Sequence, residues 1–145
     1  MPAARHDPFL NFNFVVEIGG TTVSTLREAD LPVGTIEIAE YREGNERQNS
    51  GRRLPGRVTF SPLILRRGFT VDRTFFDWWR AVAEGNLDRR NVSVILRDQT
   101  GQSVARWNFR NALPMKYDAP SFRAQSNEVA IESLELAVEG MELAD

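Results

Sequence analysis

The side chains that could do chemistry are few, and their spacing argues against catalysis. The one histidine, His6, lies in the N-terminal stretch MPAARHDPFLNFNF, in a chain without cysteine. A lone histidine with neither cysteine nor clustered carboxylates makes a poor metal site, and no Ser-His-Asp arrangement can be built around it. Carboxylates are plentiful: Glu37, Glu40, Glu43 and Glu46, then Glu128, Glu132 and Glu135. A glycosidase needs two of them facing each other across a cleft. Most of these alternate with apolar residues instead, the pattern of a solvent or interface face of a strand. The arginine doublets Arg52-Arg53, Arg66-Arg67 and Arg89-Arg90 could hold phosphate. Each has acidic residues nearby, so they read as solvated or interface ion pairs. No GxSxG, GxGxxG, P-loop or HExxH motif occurs. The expectation is a protein that is not an enzyme, with no catalytic residue, no metal and no cofactor.

Bulk properties narrow the field further. The chain has 145 residues, enough for a single domain over 1–145. Its 18 basic and 20 acidic residues leave a formal charge of -2, which argues against a dedicated nucleic-acid binder. No apolar run approaches the roughly 20 residues that span a bilayer. The N-terminus has no apolar signal-peptide core, so a soluble protein assembled in the cytoplasm, without stable membrane binding, is expected.

The elements that must position these residues are mostly strands, because the dominant period is two. Phe12, Phe14, Val16 and Ile18 alternate with Asn11, Asn13, Val15 and Glu17, and Gly19-Gly20 reads as a tight hairpin link to Thr21-Thr22-Val23. Thr35 to Tyr41 is a second extended run, with Arg57 to Leu65 as its partner. Pro62 inside that partner suggests an edge or a bulge. One helix is clear: Phe75, Trp78, Trp79 and Val82 recur at i, i+3, i+4 and i+7, with Asp72 as N-cap and Gly85 as stop. A tryptophan pair could be a stacking platform for a ligand, but this spacing calls for a helix laid over a sheet. Further strands run from Val92 to Arg97, from Val104 to Phe109 and over Pro114 to Tyr117, with a turn at Asp98-Gln99-Thr100-Gly101. The last run changes phase, Val129 and Ile131 being odd and Leu134, Leu136 and Val138 even, as a bulge would produce. The fold expected is mainly β: a sandwich or partly closed barrel of about seven to eight strands with one flanking helix.

Residues 42–56 join two extended runs and carry both charge signs. Loops of this length in a compact domain are usually functional or disordered. We expect an arm that docks on a neighbour through Arg42, Glu43, Glu46, Arg47, Arg52, Arg53 and Leu54. Residues 1–8 are expected to be a flexible segment.

An ordered series of short motifs covers nearly the whole chain. It begins with Asp7-Pro8, Asn11-Phe12 and Phe14-Val15-Val16-Glu17-Ile18. It continues through Glu40-Tyr41-Arg42-Glu43-Gly44, Arg53-Leu54-Pro55-Gly56 and Leu65-Arg66-Arg67-Gly68, then the Trp pair and Arg89-Arg90-Asn91-Val92-Ser93. Trp107-Asn108-Phe109-Arg110-Asn111-Ala112, Pro114-Met115-Lys116-Tyr117, Ser126-Asn127-Glu128-Val129-Ala130-Ile131-Glu132 and Leu134-Glu135-Leu136-Ala137 complete it. In this series the chain resembles the tail tube proteins of contractile phage tails, and especially the inner tube proteins of extracellular contractile injection systems. The resemblance implies a β-barrel-like sandwich with one helix, six copies per ring, and rings stacked into a hollow tube inside a contractile sheath. It implies as partners further copies of the chain, the sheath, baseplate and cap proteins of the same particle, and effector cargo in the lumen or, in a phage, DNA in transit. The alternatives are a secreted ring-forming effector carrier of a type VI-like system and a ligand-binding β-sandwich module. The second would need exposed aromatics on a strand face or loop, whereas those here fall at core-type periods.

Overall fold

A computed structural model describes residues 12–41, 51–125 and 129–144. β1 (Asn13–Ile18) and β2 (Thr21–Leu26) are linked by Gly19 and Gly20, at φ 64° and 84°. Two successive positive φ angles are what a tight two-residue hairpin requires, and glycine adopts them at no steric cost. β3 (Glu28–Asp30), β4 (Gly34–Tyr41), β5 (Arg52–Phe60) and β6 (Leu63–Gly68) follow. Then come α1 (Thr74–Ala83), β7 (Arg90–Arg97), β8 (Ser103–Asp118), β9 (Ile131–Ala137) and β10 (Gly140–Ala144).

Eight of these strands form one antiparallel sheet in the order β2-β1-β7-β8-β9-β6-β3, with β10 alongside β8. The strands at its two ends, β2 and β3, are separated in the chain by Arg27 alone, whose amide donates to Arg66 O (2.8 Å). The sheet therefore curls back on itself without closing into a hydrogen-bonded barrel, giving the mainly β, sandwich-like fold expected. β4 and β5 stand apart as a two-stranded ribbon paired only with each other among the described residues.

The curl turns on a corner in β8. Its first part pairs with β7, and its other edge takes β10 and then β9. At the corner Asn111 has φ 54°, a left-handed conformation that asparagine tolerates better than most residues. Its backbone N–H donates to Asn91 Oδ1 (3.1 Å) and its Nδ2 to Glu139 Oε2 (2.8 Å). Across from it the C-terminal run breaks at Val138-Glu139, between β9 and β10.

Several boundaries differ from the sequence pattern, each for a physical reason. The run from Arg57 to Leu65 is two strands in two sheets, because Ser61-Pro62 interrupts it where proline offers no N–H to a ladder. Val104–Phe109 and Pro114–Tyr117 are parts of one strand, β8, bent at Asn111. The phase change in the last run is not a bulge in β9, which pairs with β6 without any slip. The extra residue lies in β8, at Met115. Residues Arg52 to Gly56 belong to β5 rather than to a loop. With the short β3 and the break at Val138-Glu139, the described residues form ten strands, against the seven to eight expected.

α1 lies against β8 and drives Phe75 and Trp78 into a core with Val16, Leu65, Phe109 and Leu134. Trp79 and Val82, expected on the same face, are partly buried and pack at its margin. Trp78 keeps its polar edge satisfied: Nε1–H donates to Asp88 O (2.7 Å), while the Arg90 guanidinium sits 5.1 Å from its ring centroid. Asp72 is not the N-cap. That position is Arg73, with no side-chain capping bond, because Asp72 is engaged by Arg67 and Thr74. Gly85, at φ 101°, ends the helix as expected. Replacing Trp78 with alanine should cost about 3–5 kcal/mol through lost burial and a residual cavity. Trp79→Ala should cost clearly less, since its ring is already partly in water. Urea unfolding of both variants checks this, and equal losses would contradict the packing.

Candidate functional site

Of the residues expected to form an arm, Arg42, Glu43, Glu46 and Arg47 lie outside the described residues, as does the segment 1–8. Arg52, Arg53 and Leu54 sit in β5 at the outer end of the ribbon, opposite Tyr41, Glu40 and Ala39 respectively. Side chains alternate across a strand, so these three divide between two faces. Arg53 and Glu40 share a face with Ile38 and Ile36, whose cross-strand partners are Pro55 and Val58. Arg52 and Leu54 share the opposite face with Tyr41 and Ala39. The register slips by one between Ile36 and Ile38, where Gly56 lies so close to Glu37 that a Cβ there would sit 3.2 Å from the Glu37 carbonyl oxygen.

Every residue of β4, and every residue of β5 except Phe60, is exposed. Ile36, Ile38, Leu54 and Val58 are each roughly half exposed. A two-stranded hairpin standing alone is marginal in water, and one with apolar residues on both faces is a surface built to be covered.

The charged residues elsewhere are arranged for architecture. Glu132, expected on a solvent or interface face, is 2% exposed, and Arg67, expected to be solvated, is fully buried. Arg67 Nε donates to Glu132 Oε1 at 2.5 Å across the β6–β9 ladder. Its Nη1 donates to Asp72 Oδ2 (2.8 Å) and its Nη2 to Asp72 O (2.9 Å). The guanidinium also stacks 4.0 Å from the Phe75 ring centroid, and Tyr117 donates from its hydroxyl to Glu132 Oε2 (2.6 Å). The signal for this cluster was in the pattern: Glu132 shares the even phase of Leu134 and Leu136, so it had to face the core. Burial pushes the Asp72 carboxyl up, but hydrogen bonds from Arg67 and Thr74 and the Arg67 charge outweigh this and leave it below its ordinary value. Burial first, and then the hydrogen bond to Glu132, push the Tyr117 phenol up to about 12.

A second cluster lies on β1, β7 and β8. Arg106 donates to Glu17 (3.0 Å), to Asn108 Oδ1 (3.1 Å) and to Ser93 Oγ (3.3 Å). Lys116 faces Glu135 at 3.4 Å, Arg66 pairs with Asp30 at 2.8 Å, and Arg90 with Asp88 at 2.8 Å. Arg89 lies 3.6 Å from Glu139. The doublets at Arg66 and Arg89 are thus spent on ion pairs, most of the described carboxylates are tied to cations, and Glu37 and Glu40 are set out on the ribbon. No two carboxylates are posed across a cleft among these groups.

Comparison with known proteins bears on the whole chain. Residues 10–142 match the family described as T4-like virus tail tube protein gp19. Among solved structures, the fold is similar to a chain in the sheath/tube terminator of the PVC extracellular contractile injection system. That match has TM-score 0.79 and 23% identity, and covers 99% of this chain and 100% of that one. It is similar to a chain in the anti-feeding prophage baseplate, with TM-score 0.72 and 23% identity over 99% and 96% of the two chains. It is more distantly similar to Hcp1 from Salmonella typhimurium, with TM-score 0.59 and 13% identity over 93% of each. At these identities the likenesses establish the fold. No curated protein matches the chain in sequence.

Two outcomes test the buried cluster. Arg67→Met or Glu132→Leu alone should cost roughly 3–5 kcal/mol by stranding the other charge, and the double variant should recover much of the loss. Urea titration of the three variants measures it, and additive losses would contradict the pairing. Tyr117 has its acidity lowered by folding, so the stability it contributes is complete below an unfolded tyrosine's value of about 10. It is lost as pH rises toward about 12. The urea midpoint should fall over that window, and Tyr117→Phe should flatten the fall.

Proposed function

The chain belongs to the T4-like virus tail tube protein family, and on that premise we propose that six copies close into a ring. The rings stack into the hollow inner tube of a contractile, phage-tail-like injection system, which is driven through a target envelope. The observation that carries this reading is the β4–β5 ribbon, exposed on both faces and apolar on both, which no other described residue covers. A closed ring of head-to-tail contacts supplies many identical surfaces for such ribbons. The partners are then further copies of this chain and, at the tube's flank and ends, the sheath, baseplate and cap proteins of the same particle. Effector cargo, or DNA in a phage, passes through the lumen in transit. The role needs no catalytic step. The particle assembles inside the cell and acts outside it.

The arm of residues 42–56 joins one ring to the next. Exposed ion pairs contribute only about 0–1 kcal/mol each, and ordering a segment costs on the order of 1 kcal/mol per residue. Stacking therefore depends on the apolar ribbon beneath the charged tip and on repetition around the ring. A second reading, the ring-forming effector carrier of a type VI-like system, draws on the likeness to Hcp1, whose TM-score of 0.59 is lower than the 0.72 and 0.79 of the injection-system chains.

Negative-stain micrographs and native mass spectrometry of the purified protein should show six-fold rings and stacks of them. Monomers at every concentration would overturn the reading. Replacing Glu46 to Arg53 with a short Gly-Ser link should leave folded subunits, and rings, without long tubes. Reversing Arg52 and Arg53 to glutamate should weaken stacking with little change in Tm. Full-length tubes from the shortened variant would make the arm a passive loop.

A further inference from the structure

A second apolar surface lies at the far end of β6 from the ribbon. Phe69, just after β6, and Phe122, in the segment after β8, meet edge to face with centroids 5.7 Å apart. With Val129, just before β9, they line a shallow hollow rimmed by Arg123. Phe69 is 51% exposed, Phe122 70% and Val129 58%, which is unusual for three neighbouring large apolar residues. The backbone holds the hollow in place: Phe69 N–H donates to Ala130 O (2.8 Å), and Gly68 leaves room for Val129, whose Cγ1 lies 3.2 Å from where a Cβ would be.

We propose that this hollow is the receptor for the β4–β5 ribbon of the next copy of the chain along the tube. The inference rests on the tube reading and adds the surface that the ribbon meets. The ribbon joins β6 at Leu63 and the hollow closes off its other end at Gly68, so the two are set apart by a six-residue strand, roughly 20 Å. Both are exposed in the single copy, so neither covers the other within one chain. Each copy thus carries one protruding apolar element and one apolar hollow at opposite ends of the same strand. That is the geometry of a heterologous contact that propagates from copy to copy. The ribbon face with Ile36 and Ile38 ends in the cross-strand pair Glu40 and Arg53, which together carry no net charge, so the contact with the hollow is carried by the apolar groups. Aromatic side chains in a hollow are the usual energetic anchors of such contacts.

The chain has no cysteine, so introduced thiols report on this contact alone. The double variants Ile38→Cys with Phe122→Cys, and Val58→Cys with Val129→Cys, are treated with a short bismaleimide after assembly. Each copy then carries one donor and one acceptor, and a ladder extending beyond dimers is expected. The single variants should give no ladder. Phe122→Asp, at a site already mostly in water, should keep the wild-type circular dichroism and Tm while losing tubes. If micrographs show tubes but neither pair gives a ladder, the receptor assignment is overturned and the tube reading stands. If the unmodified protein forms no tubes and neither pair gives a ladder, both readings fall together.

Discussion

Arg67 is the residue on which the rest of this fold is hung. Its guanidinium, fully buried, binds Glu132 across the β6–β9 ladder, reaches the carboxylate and carbonyl of Asp72 just before α1, and stacks on Phe75 of that helix. Glu132 in turn takes the hydroxyl of Tyr117 on β8. One cation therefore joins four elements at the place where the sheet turns over the helix. A buried charge is tolerable only when its hydrogen bonds are nearly all made, and each partner removed would leave several kcal/mol of uncompensated desolvation. The cluster specifies where α1 sits, and so which aromatic side chains fill the core. Whether it adds net stability over an apolar substitute is a separate matter, and such substitutes are often as stable.

That saturated interior contrasts with the ribbon. The core side chains of the eight-stranded sheet are almost wholly buried, and no buried side-chain polar atom among the described residues lacks a partner. The β4–β5 ribbon has the reverse character, with its backbone paired internally and its side chains in water. The subunit is thus a self-sufficient body carrying an unfinished element. Such a division suits the proposed tube, in which a body with its own core would leave the association energy to surfaces that other copies complete.

Much of this was legible in the sequence, and the failures have specific causes. The alternation around Val16 and Val94, the Gly19-Gly20 link and the 3.6-residue spacing of Phe75, Trp78 and Val82 are local signals, and local geometry obeyed them. Asp72 was misread as a cap because the buried side chain of Arg67, five residues earlier, competes for it. Glu132 was misread as exposed because its charge outweighed its place in the even phase of Leu134 and Leu136. The division of the run at Pro62 and the joining of two runs at Asn111 depend on tertiary pairing, which no local pattern contains. At the candidate site, the length and mixed charge of residues 42–56 singled out a segment whose last residues, Arg52 to Gly56, lie in the exposed ribbon. The exposure of the apolar residues in the ribbon below it, Ile36, Ile38 and Val58, was not legible, because alternation alone cannot say whether an apolar face is covered by the same chain or by another.

Hydrogen–deuterium exchange on assembled and dissociated protein tests that division most directly. Amides of β7, β8 and β9 should be protected in both states. Those of β4 and β5 should exchange quickly in the dissociated subunit and become protected on assembly, because local stability there comes from neighbouring copies. Equal protection of the ribbon in both states would contradict the account.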